Sequence, residues 1–406
     1  MNKEAPKGWK SNKLTNICLI KGGKRLPKGE TLSDIPTSHP YIRVTDFERY
    51  SVNLDNIKYI TDEIYNVIKN YTISSDDLYI SIAGSTGMIG AIPEKLNGAN
   101  LTENAAKIVI KDQNIIDKNY LKYYLNSSTI QQQIKELTVG VGVPKLALNR
   151  IEGINIVYPN TIAEQREIAQ VLDTMSDIIR LREECISHAQ DLIPALFQEM
   201  FDNPQTNKKN LQICRLKDLA KIDRQNISPE ELKTKRYTYI GLEHIEKETG
   251  RILVDPNVQL DIDLKSNKFF FTSNHVLYGK LRPYLNKVAL PDFDGVCSTD
   301  IFPLLPLEGI SNTYFLKALM STSYFVNMAN SQSSGANLPR IGTTALENIK
   351  VFKPDYNLQE QFAEKVREIN SYIEEQQEEL ENAKQMFQSL LHHAFTGELT
   401  KHKYGE

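Results

Sequence analysis

The sequence predicts an α+β protein made by internal duplication: two mixed α/β globular parts separated by two long helices that form a coiled coil. Two observations carry this reading. The chain aligns with itself at an offset of about half its length, and each copy ends in a long stretch of heptad periodicity. Lys13-Leu14 with Ile17 recurs as Arg215-Leu216 with Leu219, and Tyr41-Ile42 as Tyr239-Ile240. Asp77-Leu78-Tyr79-Ile80 lines up with His275-Val276-Leu277-Tyr278, and Tyr120-Leu121-Lys122 with Phe315-Leu316-Lys317. Val143-Pro144-Lys145-Leu146 matches Leu338-Pro339-Arg340-Ile341, and Pro159 with Glu164-Gln165 matches Pro354 with Glu360-Gln361. The offset drifts between 194 and 202, so small insertions separate the copies. The common order of the matches through the chain weighs more than any single pair.

Residues 1–160 form the first globular part. Alternation at Leu78, Ile80 and Ile82 reads as a strand, as do the β-rich runs Lys107–Ile110 and Ile154–Tyr158, and a short helix is expected near Asn119–Asn126. Residues 161–203 form the first spacer helix. From Thr161 to Phe201 there is one proline and no glycine. Gln165, Ile168, Leu172, Met175, Ile179, Arg182, Ile186, Ala189, Ile193, Leu196 and Met200 follow the three–four spacing of a coiled-coil seam with two polar interruptions. Pro194 is expected to kink this helix near its end. Residues 204–357 form the second globular part, with a helix expected near Thr313–Ser321 and a strand at Ile349–Phe352. Residues 358–400 form the second spacer helix, with the seam Phe362, Val366, Ile369, Ile373, Gln376, Leu380, Ala383, Phe387, Leu390 and Ala394; residues 401–406 are a tail. Each helix is roughly 60 Å long at ~1.5 Å per residue. The two seams most simply pack on each other; the rival arrangement pairs each with another protein.

Composition narrows the function class. The 406 residues are 40% apolar and 24% charged, ordinary values for a globular chain and too apolar for general disorder. No run of ~18 apolar residues offers a membrane span, and the opening MNKEAPKGWK has no apolar leader. Cys18, Cys185, Cys214 and Cys297 are scattered without a C-x-x-C pair, which fits a reducing cytoplasm and argues against a zinc site or disulfide scaffold. The net charge of −3 sorts by segment. Each globular part carries 20 basic and 16 acidic side chains, net +4; residues 161–203 carry −6 and residues 358–406 carry −5. Acidic helices joined to two mildly basic heads suit a spacer between nucleic-acid-binding units.

Catalytic patterns are missing. Gly22-Gly23-Lys24 and Gly84-Ser85-Thr86-Gly87 do not make a phosphate-binding P-loop and read as turns. The seven histidines include no H-E-x-x-H, and adjacent His392-His393 point to different helix faces. Asn203-Pro204 lacks the second proline and aromatic of an amino-methyltransferase turn. Cys297 has no assignable histidine base, and no G-x-S-x-G elbow occurs. The chain reads as a binder, not an enzyme, with no metal or cofactor of its own.

Polar, turn-rich segments stand at matching places in both copies. Tyr278–Lys287 interleaves bases with aromatics, a mixture that can contact phosphates and base edges. Its counterpart Ser81–Gly90 is rich in glycine and hydroxyls. Lys145 and Arg340 each follow a proline behind a glycine-bearing loop, placing a cation at the same spot twice. The candidate DNA contacts are Lys24, Arg25, Arg43, Thr86 and Lys145 in the first head, and Lys280, Arg282, Tyr284, Asn286 and Arg340 in the second.

These residues together resemble the specificity subunits of type I DNA restriction-modification systems. Pro6-Lys7-Gly8-Trp9 with Lys13-Leu14 is similar to that family's opening. Asp77–Ser81 with Gly84, Thr86 and Gly87, Val276–Lys287, and Gly295–Asp300 are similar to its conserved segments. The proline and Glu-Gln pairs resemble the entries to its two conserved helices; Phe197–Phe201 and Ala394–Leu399 resemble the endings. An aspartate at 300 where the family has glutamate, Pro194, and a second copy without the Gly-Trp opening are the departures.

The resemblance implies that the globular parts are target recognition domains. Each would read one half of a bipartite asymmetric DNA target, with the antiparallel helices fixing the gap. It implies two methyltransferase subunits, carrying S-adenosylmethionine and docking largely through the helices. Nuclease/translocase subunits using ATP and magnesium would join for restriction. The specificity subunit itself would be non-catalytic, cytoplasmic and without a membrane partner. Two other classes stay open: a two-headed coiled-coil scaffold for protein partners, and a thiol hydrolase using Cys297.

Overall fold

A computed structural model of the chain describes residues 5–140, 144–202, 206–255 and 266–403. Val143, Asn203-Pro204 with the expected 203/204 boundary, and the last three residues of the tail lie outside the described residues. The chain divides into two compact units, Met1–Leu181 with Leu380–Glu406, and Arg182–Glu379. Each unit holds one globular part and a portion of both long helices, Ile162–Phe201 and Tyr356–Phe395.

In the first unit, Trp9–Lys13 pairs antiparallel with Asn155–Pro159, so the two ends of the globular part close on each other. Its main sheet has the strand order Cys18–Gly22, Ala105–Ile110, Leu78–Ser81, Ile89–Ala91, antiparallel throughout. Every residue of Leu78–Ser81 is buried. The alternation at Leu78 and Ile80 therefore marks one of two covered faces rather than a half-solvated strand. A smaller sheet joins Lys58–Tyr59, Pro40–Ile42 and Asn100–Leu101, with the last pair parallel. Ile42, Phe47, Tyr79 and Leu101 share its core. The expected short helix runs Lys118–Leu125, because Asp117 caps it by accepting from the Asn119 and Tyr120 amides.

The second unit repeats the plan. Gln212–Arg215 pairs with Lys350–Lys353. One sheet orders Ala220–Ile222, Ile301–Pro306, Val276–Gly279, Val288–Ala289. The other orders Asn226–Ile227, Lys268–Phe271, Gly295–Cys297, Thr238–Ile240, again with its last pair parallel. The helix Thr313–Ser321 is capped by the Asn312 side chain. The duplication thus holds in the strand order and direction of the main sheet and in the parallel pair of the smaller one, not only in sequence landmarks. The helices Ser128–Leu137 and Ser323–Ser331 are additional to the expected elements. Each buries little beyond one i,i+4 pair, Ile130 with Ile134 and Phe325 with Ala329, too short a pattern to show periodicity.

The long helices pair antiparallel, and the second unit shows it directly. The Arg182 guanidinium donates to Gln376 Oε1 at 2.9 Å and also meets Glu379, while Phe197 lies edge-on to Phe362. As the index rises along the first helix, its partner's falls. Arg182 and Gln376 are polar interruptions of the two seams, so each is the other's partner. Such a pair costs some stability and fixes register. The first helix runs through Pro194, which is exposed, to Phe201.

One sequence match is corrected. Gln165 is buried and its amide donates to the Ile115 and Pro159 carbonyls; Gln359 does the same to Ile310 and Pro354. The structural partner of Gln165 is therefore Gln359, not Gln361. The buried amide satisfies the strand-to-helix turn, and that role outranks the identity of the Glu-Gln letters.

Candidate nucleic-acid interface

In the first unit, backbone hydrogen bonds gather four loop segments. Gly23 donates to the Ala105 carbonyl at 2.9 Å, and Thr102 donates to Ile42 at 3.0 Å. Ile82 donates to Asn104 at 2.8 Å, and Gly84 to Pro144 at 3.3 Å. Lys145 exchanges both backbone bonds with Val139 and bridges to Ala83. These links bring Lys24, Arg25 and Arg43 to the Thr102–Asn104 loop from one side, and Thr86 and Lys145 from the other.

The side chains differ in availability. Lys24 is exposed, its ammonium 5.4 Å from the Tyr71 ring centroid. Arg25 is exposed and pairs with Glu103 at 3.3 Å. Lys145 is exposed. Thr86 lies at 3.4 Å from the Thr138 hydroxyl, in an open hollow of about 490 Å³ also lined by Gln131, Lys135 and Pro144. Arg43 is committed inward: it donates to the buried Asp46 carboxylate and to the Asn56 carbonyl. Hydrogen bonding to Asp46 raises the Arg43 pKa further above its ordinary value. Its first task is to hold the turn at Val44–Asp46.

The second unit builds the same junction with different side chains. Asp223 donates to the Pro303 carbonyl at 2.8 Å, Ser298 to Ile240 at 2.9 Å, and Lys280 to Asp300 at 3.0 Å. Arg282 donates to Pro339 at 2.7 Å, and Arg340 exchanges bonds with Ser334. The Asp300 carboxylate sits 3.6 Å from Lys280 Nζ and 3.5 Å from Arg340 Nε. Lys280, Arg282 and Arg340 thereby converge, and Tyr284, 51% exposed, stands on the turn Pro283–Leu285 beside them. Asn286 turns inward, its amide donating to the Ser321 carbonyl at 3.2 Å.

That turn is held open by two left-handed residues, Arg282 at φ 51° and Asn286 at φ 46°. The first copy has Gly84 and Gly87 at these points, at φ 75° and 88°. Asparagine tolerates this region; for arginine it costs roughly 1–2 kcal/mol. The strain keeps an exposed guanidinium at the tip of the loop, and such strain concentrates at functional sites.

The second unit also carries a cation beside this junction that the sequence did not single out. Ile20 faces Ile108 and Ile222 faces Leu304 at the same place in the two sheets, so Arg224 falls where the first copy has Gly22, and Lys24 matches Asn226. Arg224 is exposed and reaches Thr343. The matching glycine in the first copy gives the duplication no signal for it. Cys297 is fully buried and its burial pushes the thiol pKa up, which leaves it unsuited to nucleophilic attack. Among the described residues no group of three or more His, Cys, Asp or Glu could hold a metal, and no helix is long and apolar enough to cross a membrane.

Comparison with known proteins agrees with this duplicated plan. The chain is 27% identical over 322 residues to the type I restriction enzyme EcoDI specificity subunit of Escherichia coli, covering 70% of this chain and 71% of the relative. It is 23% identical over 440 aligned positions to the StySPI specificity subunit of Salmonella potsdam, covering 97% and 90%. The solved type I restriction-modification S subunit from M. genitalium superposes with a TM-score of 0.56 at 15% identity, covering 97% of each chain, so the fold is shared. The model of the type I restriction modification DNA specificity domain matches twice, over residues 6–188 and 208–382, and the chain belongs to that family.

Proposed function

We propose that this chain is the sequence-specific DNA-binding subunit of a type I restriction-modification complex. Residues 1–160 and 204–357 are its two recognition domains, each reading one half of a bipartite asymmetric target. The helices of residues 161–203 and 358–400 fix the gap and dock two methyltransferase subunits. Catalysis belongs to the partners: S-adenosylmethionine to the methyltransferases, ATP and magnesium to nuclease/translocase subunits. The complex works in the cytoplasm.

The observation that carries this is the repeated loop junction with an exposed cation at the same point of each copy, Lys145 and Arg340. Lys24, Arg25, Lys280, Arg282 and Tyr284 surround these two, with Thr86 lining the first junction. Cations at the junction set register on phosphates, and loop polar groups read base edges. Arg43 and Asn286, both bonded inward, shape the loops that carry the contacts. Family membership favours this over the protein-scaffold reading.

The test is to co-express the chain with its methyltransferase partner and map modified adenines by single-molecule sequencing. A bipartite motif with a fixed gap, lost on deleting this chain, is the expected result. Methyltransferase expressed in full with no such motif would overturn the proposal.

A further inference from the structure

Each head carries a short helix behind the turn of its junction, and the exposed face of that helix is built from unusual residues. Asp117–Thr138 and Asn312–Ser333 align without insertion: the caps Asp117 and Asn312 and the bridges Val139–Lys145 and Ser334–Arg340 fall at the same spacing. Ser128–Leu137 therefore matches Ser323–Ser331 residue by residue. In the first head the Gln131 amide ties this helix to the turn, donating to the Gly87 carbonyl at 3.1 Å; in the second the helix packs against Pro283–Leu285. One side of the helix is buried, Ile130 with Ile134 and Phe325 with Ala329. The other presents Ser128, Gln132 and Lys135 in the first head, and Ser323, Asn327 and Asn330 in the second, all exposed. The steps of four and then three residues put each set on one face. Ser128, Gln132 and Lys135 form one wall of the open hollow that Thr86 and Pro144 line from the other side.

Resting on the DNA-reading function above, we propose that this helix face reads base edges in the major groove. Gln132 and Lys135 select bases in one half-site, and Asn327 and Asn330 select bases in the other. The fold gives these side chains no other task. Among the described residues Lys135, Asn327 and Asn330 make no side-chain hydrogen bond or ion pair, and Gln132 bonds only Glu136, one turn on. Asn327 stands in the middle of its helix, where asparagine is disfavoured because its side chain competes for backbone bonds. Charge points to DNA. From Thr313 to Leu346 there is no aspartate or glutamate, and from Lys118 to Ile151 only Glu136, in a chain with 51 acidic residues. Such a surface can approach phosphates without repulsion. The major groove admits an α-helix. Lys145 or Arg340, exposed just past the helix end, is placed to hold a phosphate while the helix enters. The amides of Gln132, Asn327 and Asn330 suit the N6/N7 edge of adenine, and Lys135 suits the O6/N7 edge of guanine. The chemistry thus differs between the heads, as an asymmetric target requires. These positions also lie outside every segment that resembles the family's shared patterns, as residues that set different targets must.

The experiment uses the full chain co-expressed with its methyltransferase partner, with modified adenines mapped as above. Lys135→Asn should move the preferred base away from guanine at one position of one half-site, and Asn330→Lys should move it toward guanine in the other. Methylation of the original motif should fall about 5- to 100-fold against the new one, the span of a single well-made base contact. Asn327→Ala should relax one further position of the half-site that Asn330 reads. Lysine favours a helix more than asparagine does, so the melting temperature of Asn330→Lys should not fall. Unchanged motifs in both the 135 and 330 variants would overturn the assignment. An even fall at all sites with the preferred bases intact would do so too, since the face would then touch only phosphate. Loss of the co-purifying methyltransferase would equally overturn it, because the face would then dock protein. A wild-type chain with no bipartite motif would instead overturn the DNA-reading function itself.

Discussion

The two globular parts meet their helices through the same geometry and opposite chemistry. In the first unit Tyr120 sets its ring edge-on to Phe395; in the second Phe315 sets its ring edge-on to Phe201, at the matching place. Beside this shared aromatic contact the copies part. Asp173 on the first helix accepts from Asn119, Lys122 and Tyr123. At the matching turn of the second helix stands Arg367, stacked 4.9 Å from the centroid of Tyr314, which takes the place of Asn119. Shape fixes where a head sits, and several chemistries can then fasten it. The loops are therefore free to diverge, which a protein with two different half-sites requires.

The largest expected effect tests the shared contact. Phe201 is fully buried, against Phe197, Phe315 and Phe362, and Phe201→Ala should cost about 3–5 kcal/mol. Phe395→Ala, at a half-buried side chain, should cost less. Urea unfolding of both variants checks the order, and equal costs would break the equivalence of the two contacts.

The fastening chemistry comes next. Lys122 is only 10% exposed, and Asp173→Ala would leave it without its carboxylate, together with the Tyr123 hydroxyl and the Asn119 amide. A loss of about 2–3 kcal/mol is expected. Arg367→Ala should cost about 1 kcal/mol or less, the value of an exposed cation–π contact. Hydrogen exchange resolved by unit distinguishes the two, and an equal cost would refute the contrast.

Arg282→Gly probes the strained loop. Relief of the left-handed arginine and the added freedom of glycine nearly cancel, so stability should stay within about 1 kcal/mol. Methylation at the target should nevertheless fall at least roughly tenfold, as one lost base contact implies. Lost stability with intact methylation would remove Arg282 from the interface.

The smallest effect concerns pH. Thr272 donates its amide to His275 Nδ1, where Ser74 of the first copy donates to the Asp77 carboxylate. Burial, partly opposed by Asp223, lowers the His275 pKa from its ordinary 6.5. The unfolded chain therefore binds a proton before the folded one does. Stability of the second unit should fall as pH drops below about 6.5, by no more than about 1.4 kcal/mol per pH unit. His275→Asn should flatten that dependence in melting curves between pH 7.5 and 5.5; a wild-type profile that rises with acid would contradict it.

The sequence was readable where short-range chemistry dictates structure. The helix Thr313–Ser321 and the two long helices follow from spacing and caps. The paired prolines, tyrosines and glycines betray the duplication, since turns and buried aromatics tolerate few substitutes. The loop cations Lys145 and Arg340 were legible because each sits behind a proline at a matched place. Arg224 was not, because its place in the first copy is held by Gly22, so the duplication does not mark it. Arg43 looked like a surface base because nothing in its neighbours announces the inward bond to Asp46.

What the sequence by itself determined, then, is the repeat, the α+β plan, the two long seamed helices and the family. Those rest on periodicity and on residues whose own conformational preferences decide their place. Tertiary structure alone decided that Gln165 matches Gln359, that Asp300 lies between two cations, and that an arginine occupies a left-handed turn. Each of these joins residues far apart in the chain, or imposes a backbone angle the residue disfavours. Such pairings are set by the packed whole, where a buried amide or carboxylate must find its partners, and no local preference encodes them.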